Sequence, residues 1–504
     1  VGIRDGRLHL GPSNWRPQAR RTIDAAGLTV APGFIDLHSH GGLVILADPR
    51  HEPKVRQGVT TEVIGVDGNS YAPFAHRQDL LDFATLNAGL DGRPDLPYDW
   101  DSVASYLDRY DRQAINIGLV VGNSALRIGA IGWEDAPADG RATAGMRAML
   151  REAMEEGALG VSSGLDYPPG SYASTNELAA LTNEAARLGG FYHTHVRYPL
   201  GDRFLDPFRE AIEIGRRGEG PVHITHFYHR RTYPGTPEQL LALVDDARAT
   251  GEDVTFDTYP YEWASTRLLI QLPQWVQSGG PAALKQRLAD RGARDRVRAE
   301  LAERGAAYAS AEGWADVRLG AFTRPENLRW ESATLADVMR ESGTDAVDAI
   351  CDLLLAEDLR VAQVTTGPWT DGLRTFLRHP GAMIGTDSTF LGEKPSPRTY
   401  GSYPRVLGQF VREEGILGLA EAVRRMTSAP AARLGLADRG LLRDGFAADL
   451  VLFDAARVRA NATHDRPRQF PEGIEHVIVN GELVVDGGRH TGARPGRALR
   501  RGRA

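Results

Sequence analysis

The residue types best able to do chemistry in this chain lie where apolar runs end. In Gly33-Phe34-Ile35-Asp36-Leu37-His38-Ser39-His40 such a run ends in two histidines, and Phe191-Tyr192-His193-Thr194-His195 repeats the pattern. On an extended chain residues i and i+2 face the same side, so both imidazoles of a pair can turn toward one ion. Three more runs end in a polar residue: Val63-Ile64-Gly65-Val66-Asp67, Val222-His223-Ile224-Thr225-His226 and Ala382-Met383-Ile384-Gly385-Thr386-Asp387. Singly, each has a plain structural reading. Asp67 suits a turn or a cap, and a His-x-His pair suits buried hydrogen bonding. Together, six unrelated polar strand ends would each need a buried partner of their own. Convergence of His38, His40, Asp67, His195, His226 and Asp387 on a metal satisfies them at once. Imidazole with carboxylate suits Zn²⁺, one ion or two; Mn²⁺, Fe²⁺, Co²⁺ and Ni²⁺ stay open because affinity alone does not choose. The single cysteine, Cys351, lies in the helical pattern Val347 to Leu355 and reads as a small core residue.

These residues need elements that bring them to one place. Candidate strands are 33–38, 59–65, 115–121, 159–163, 190–195, 220–226, 254–258, 361–366 and 382–387, with helical patterns such as Thr143 to Glu156 and Asn176 to Leu188 between them. Alternation of this kind over residues 31–430 predicts an α/β fold, a TIM-like (β/α)8 barrel, whose strand C-termini share one rim. Nine candidates are one too many, and 361–366 fits least well. Residues 267–350, with Gln274-Trp275, Trp314 and Trp330, read as a mainly helical insertion. Both chain ends are β-rich. Asp5-Gly6 and Gly27 mark turns near the start. Near the other end, Ala448 to Phe453, Ile474 to Val479 and Glu482 to Val485 read as strands, the last two joined by the hairpin signal Asn480-Gly481. Residues 1–30 and 431–504 are therefore expected to share one small β domain, of sandwich type, since neither end alone has the apolar surface for a core.

Composition narrows the partners. The formal charge of −7 argues against nucleic acid as the main partner, and no apolar run approaches the ~18 residues of a membrane span. One cysteine allows no intrachain disulfide, which suits a cytoplasmic enzyme. The basic tail, Arg494, Arg497, Arg500, Arg501 and Arg503, reads as a solvated terminus. The opening Val1-Gly2-Ile3 carries no initiator Met or signal-like segment, so either the start lies upstream or the first residues are disordered. No Walker-type glycine loop is present, and nothing calls for a nucleotide or organic cofactor. Oligomeric state leaves no mark in the sequence.

The blocks APGFIDLHSHGG (31–42), QGVTTEVIG (57–65), GVSSGLDYPPG (160–170), THVR (194–197), VHITH (222–226), DTYPY (257–261), MIGTD (383–387) and SPRTYGSYPRVLGQFVREEG (396–415) resemble the D-aminoacylase, or N-acyl-D-amino-acid deacylase, family of the amidohydrolases. The resemblance implies a tight metal site at Asp67, His195 and His226 and a weaker one at His38, His40 and Asp387. It matches the family's site tyrosine to Tyr167 and its substrate-carboxylate arginine to Arg398. The chain departs from the family at four places. Asp67-Gly68 stands where the family has cysteine and glycine, a change toward harder metals. His226-Phe227-Tyr228 replaces His-His-Lys, Ser396 replaces a histidine, and Asn123 replaces another. His229, Arg230 or Arg231 is left to supply the missing cation.

The chemistry so implied is hydrolysis of the amide of an N-acyl amino acid, D-configured by resemblance, or of a related small carboxylate-bearing molecule. Asp387 would act as the general base. Tyr167, Tyr228 or His193 would donate to the developing oxyanion, and Arg398, with Tyr167 and Tyr228, would bind substrate. Two alternatives remain: an amidohydrolase that opens a cyclic amide or imide or deaminates a small ring, and a barrel that binds metal or ligand without turnover.

Overall fold

The computed structural model describes residues 1–12, 15, 18–198, 204–230, 234–303, 305 and 310–502. Eight parallel strands form the central sheet: β1 (Phe34–Asp36), β2 (Val59–Ile64), β3 (Asn116–Gly122), β4 (Gly160–Gly164), β5 (Tyr192–His195), β6 (Val222–Ile224), β7 (Val254–Thr258) and β8 (Ala382–Ile384). They lie side by side in chain order. All of β1 to β8 is buried, as strands covered by helices on one side and a packed interior on the other must be. Past the strand ends, Asp387 N–H donates to His38 O (2.8 Å) and His40 N–H to Ser388 O (3.1 Å), which joins β8 back to β1 and closes the barrel.

Helices return the chain from rim to base. Gly140–Glu155 buries Met146, Leu150, Ala153 and Met154, a single stripe at helical spacing, and starts where Asp139 accepts from Ala142 N–H at 2.7 Å. Thr175–Arg187 starts on Ser174, whose side chain accepts from Glu177 N–H. Ala346–Ala356 carries Cys351, buried as a core residue.

The surplus strand candidate is 361–366. Ala362–Thr366 pairs antiparallel with Trp263–Arg267 and Arg318–Gly320 in a separate three-stranded sheet, so it is a strand but not a barrel strand. Helices Gly280–Ala289, Arg291–Glu303 and Leu335–Ser342 pack with that sheet around a second apolar cluster that includes Leu284, Trp314, Trp330 and Ile350.

Both chain ends meet in a five-stranded antiparallel sheet, where Thr29–Pro32 pairs with Leu450–Phe453, followed by Ile474–Val479, Glu482–Asp486 and Arg489–His490. Asn480 and Gly481 both take positive φ (47° and 88°), the geometry a tight two-residue hairpin needs. Asp5-Gly6 does the same between Gly2–Arg4 and Arg7–His9.

The basic tail corrects the reading from sequence. Gly496 N–H donates to Gln113 O (2.7 Å), Ile117 N–H to Arg497 O (3.0 Å) and Leu499 N–H to Ile117 O (2.7 Å), so residues 496–499 line the base of β3. Leu499 is buried, and Arg500 donates to Glu156 O and Ala104 O and pairs with Asp108. Unmet backbone groups at a strand entrance make better partners for this tail than water does. Arg503 lies outside the described residues. Among the described residues no helix is long and apolar enough to cross a membrane.

Candidate metal centre

Strand register sets the level of each side chain. Gly164 is opposite His195, and His193 opposite His223 one layer deeper. Asp67, His226 and Asp387 follow their strands in left-handed conformation, with φ of 53°, 30° and 47°. Such backbone is costly for residues with a Cβ and collects at functional sites. Here it ends three strands and swings three polar side chains into the barrel mouth.

All six expected ligands meet. Asp67 Oδ2 lies 3.3 Å from His38 Nε2, 3.5 Å from His40 Nε2, 3.6 Å from His195 Nδ1 and 3.7 Å from His226 Nε2. Asp387 Oδ1 lies 3.5 Å from His38 Nε2 and 3.3 Å from His40 Nε2. Two buried clusters share Asp67: His38, His40, Asp67 and Asp387 form one, and Asp67, His195 and His226 the other, with ligand atoms within 4.8 Å of one another in each. His195 Nδ1 and His226 Nε2 stand 2.8 Å apart.

The outward nitrogen of each imidazole is held. His38 Nδ1 faces Asp257 Oδ1 (3.3 Å), His40 Nδ1 faces Asp91 Oδ1 (2.8 Å), His195 Nε2 faces Asp166 Oδ2 (3.1 Å) and His226 Nδ1 faces the Tyr198 hydroxyl (2.9 Å). An acceptor on one ring nitrogen fixes the tautomer and aims the other nitrogen's lone pair, the usual support of a metal-binding histidine. Donor set, burial and aim all fit a divalent ion. Of these partners, Asp257 carried a readable signal, since Val254-Thr255-Phe256-Asp257 is another apolar run with a polar end. Asp91, Asp166 and Tyr198 sit in irregular segments, where no periodicity marks them.

Burial alone would push the Asp67 carboxyl up; the charge of His38 and hydrogen bonds from His195 and His226 hold it well below its usual value. Burial pushes His226 down.

Not every expected residue reaches the mouth. His193 is fully buried one layer below, with Nε2 on Leu37 O (3.2 Å) and its ring stacked on His223 at 5.3 Å. Burial holds it well below its usual pKa. It is not placed to donate to an oxyanion, because side chains two apart on β5 share a face but not a level. Tyr167 does line the site: its ring is 4.9 Å from that of His195 and its hydroxyl 3.0 Å from Thr266 Oγ1. Tyr228 stacks on Tyr198 at 5.3 Å, beside His226, and its hydroxyl accepts from Arg230 NH2 at 2.9 Å. Arg398 is fully buried, with NH1 2.7 Å from Asp387 Oδ2, NH2 donating to Ser265 O and the guanidinium 4.4 Å from the Tyr259 ring centre.

The family's other replaced positions serve local structure: Ser396 donates to Trp263 O and Asn123 to Gly170 O. His229 points Nε2 at Pro234 O, Arg230 lies at Tyr228, and Arg231 is outside the described residues.

A family model for amidohydrolases matches residues 21–485, nearly the whole chain. The chain belongs to the amidohydrolase family. Two curated proteins of Alcaligenes xylosoxydans xylosoxydans are similar over full length. An N-acyl-D-glutamate deacylase is 35% identical over 99% of this chain and 92% of its own. A D-aminoacylase is 33% identical over 99% of this chain and 93% of its own. A solved N-acyl-D-glutamate deacylase from Bordetella bronchiseptica, in complex with zinc and a phosphonate inhibitor that mimics the tetrahedral intermediate, superposes with a TM-score of 0.81. It is 31% identical, over 99% of this chain and 94% of that one. The amidohydrolase barrel, with its His and Asp mouth, is thus the architecture of this chain, and metal-dependent C–N hydrolysis is the chemistry of the family.

Proposed function

We propose that this amidohydrolase cleaves the amide of an N-acyl amino acid of D configuration, releasing the free amino acid and a carboxylic acid. Zinc is the first-choice ion: Asp67, His195 and His226 would hold one, and His38, His40, Asp67 and Asp387 would hold a second. The observation that carries the reading is the aim of four anchored imidazoles, each bringing one nitrogen within 3.3–3.7 Å of a single Asp67 oxygen. A bound ion there supplies electrophilic polarisation of the scissile carbonyl and acidifies water.

The chain supplies the rest. Asp387 takes a proton from the attacking water and hands it to the leaving nitrogen. Burial pushes its carboxyl up, but the charges of Arg398 and His38 outweigh that and bring it down to about 2, so it is ionised at neutral pH. Arg398 Nε is buried without a hydrogen-bond acceptor, which supports a substrate carboxylate docking beside Tyr259. Tyr167, oriented by Thr266, is the proposed donor to the oxyanion, and Tyr228 the wall beside the leaving group. The likeness to deacylases of N-acyl-D-glutamate and of D-amino acids supports the substrate class.

The test is a panel of N-acetyl-D- and N-acetyl-L-amino acids, with a hydantoin and a dihydropyrimidine, given to the zinc-reconstituted chain. Release of free D-amino acid is expected. Asp387→Asn is expected to lower kcat by about 10²–10⁴. Ring opening without cleavage of any N-acyl amino acid refutes the reading.

A further inference from the structure

The central sheet closes without a ladder between its first and last strands. Among the described residues, β1 pairs only with β2 and β8 only with β7, and the two backbone bonds at His38 and His40 lie beyond the strand ends. Side chains fill the seam. The Tyr403 hydroxyl lies 3.0 Å from Ile35 O and 3.2 Å from Ile384 O. One layer nearer the mouth, Asp36 Oδ1 accepts from His38 N–H (3.1 Å) on one side and Thr386 N–H (3.0 Å) on the other. Behind it sits Lys54, whose side chain is fully buried. Its ammonium pairs with Asp36 and donates to Thr386 Oγ1 (2.6 Å) and Ser388 Oγ (2.8 Å), while Glu62 Oε2 on β2 stands 3.5 Å away.

A buried ammonium is expensive, and its pair rarely adds net stability over apolar residues of the same shape. This one has three donors and spends them on atoms from both sides of one gap. Residues 36 and 386 directly precede the arms that carry His38, His40 and Asp387. The proposed ligands His195, at the end of β5, and His226, two residues past β6, follow strands fixed by regular ladders.

We propose that Lys54 and Asp36 are positioning residues, a clamp across the barrel seam that holds His38 and His40 opposite Asp387. The half of the metal centre bounded by β1 and β8 depends on this clamp, and the half formed with His195 and His226 does not. The inference rests on the metal-centre reading above.

The experiment uses the full chain, stripped with chelator and reloaded with zinc, and reads stoichiometry and the two dissociation constants by chelator competition. His40→Asn and His195→Asn controls tell which constant belongs to which half. Lys54→Met and Thr386→Val are expected to weaken the His38–His40–Asp387 ion by about 10-fold or more, in the range of lost supporting contacts to ligands. The other ion should change by less than about threefold. Thr386→Ser keeps the hydroxyl and should bind as wild type. Should Lys54→Met not fold, the Thr386 pair decides, with cooperative melting as the control. Equal weakening of both ions, no weakening of either, or Thr386→Ser behaving as Thr386→Val overturns the clamp. Wild type that takes up one ion only also overturns it. Wild type that takes up none overturns the metal-centre reading itself.

Discussion

Asp67 is the residue on which the site turns, because its carboxylate belongs to both ligand clusters. A cysteine at this place would offer one soft sulfur. Asp67 offers two hard oxygens, Oδ2 toward the four imidazoles and Oδ1 3.3 Å from the Thr225 hydroxyl. In the metal-free chain these imidazoles answer to the surrounding carboxylates. Burial would push His38 down, but Asp67, Asp257 and Asp387 raise it to about 10. Burial acts likewise on His195, which Asp166 and Asp67 raise to about 9. Burial would push His40 down too, but Asp387, Asp67 and Asp91 raise it well above its usual value. A raised pKa means all three rings are protonated at pH 7.5. An ion binds only the free lone pair, so loading must expel protons. At pH 7.5 about three protons, from His38, His40 and His195, should therefore leave on loading, and the number should fall as pH rises through about 9 to 10. Calorimetric titration in buffers of different ionisation enthalpy reads the count; a heat that does not depend on buffer would contradict it.

The elements explain why much of this could be read from sequence and some could not. Each barrel strand was visible as an apolar run, and five of them end in the proposed ligands. Ala362–Thr366 looks the same to such a reading, because a strand of the small antiparallel sheet has the same local chemistry as a barrel strand. Period alone does not separate the two His-x-His pairs: His38 and His40 lie past the end of β1 and both reach the mouth, whereas His193 lies within β5, one level below His195, and does not. Close approaches between elements were not legible. Gly164 ends β4 against the turn at Asp67, and a Cβ there would lie 2.0 Å from Asp67 O and 2.7 Å from the Tyr167 ring. Since the first of these atoms is backbone, no side-chain rotation relieves the clash. Gly164→Ala should shift the Asp67 turn and weaken zinc by about 10-fold or more, a loss like that from other changes around ligands. It should also lower the melting temperature. Wild-type zinc affinity in a folded Gly164→Ala protein would show that the turn yields without moving the carboxylate.

For the whole molecule, chemistry sits at one end of the barrel and part of its fastening at the other. The sequence offered the arginines of the tail as a charge run, which usually means solvent. What decides otherwise is backbone, and backbone bonds have no signature in residue type. Residues 496–499 cross the base of β3 with five backbone bonds to Arg112, Gln113 and Ile117, bury Leu499 and set Arg500 against Glu156 O and Ala104 O. Removing residues 496–504 exposes Gln113 and Ile117 to water, which then takes over part of the hydrogen bonding. The net loss is therefore about 0.5–1.5 kcal/mol per bond plus about 1.5–3 kcal/mol for Leu499, several kcal/mol in all. The melting temperature should fall by several degrees. The mouth has its own proposed ligands, oriented by Asp91, Asp166, Asp257 and Tyr198, none of which hydrogen-bonds to the tail among the described residues. Zinc affinity and kcat/KM, measured well below the melting transition, should therefore stay within about twofold of the full chain, as additivity of distant sites requires. A truncated chain that melts unchanged would mean the tail contributes no net fastening. One that melts lower and also loses zinc would mean that the base of β3 is coupled to the mouth through the barrel.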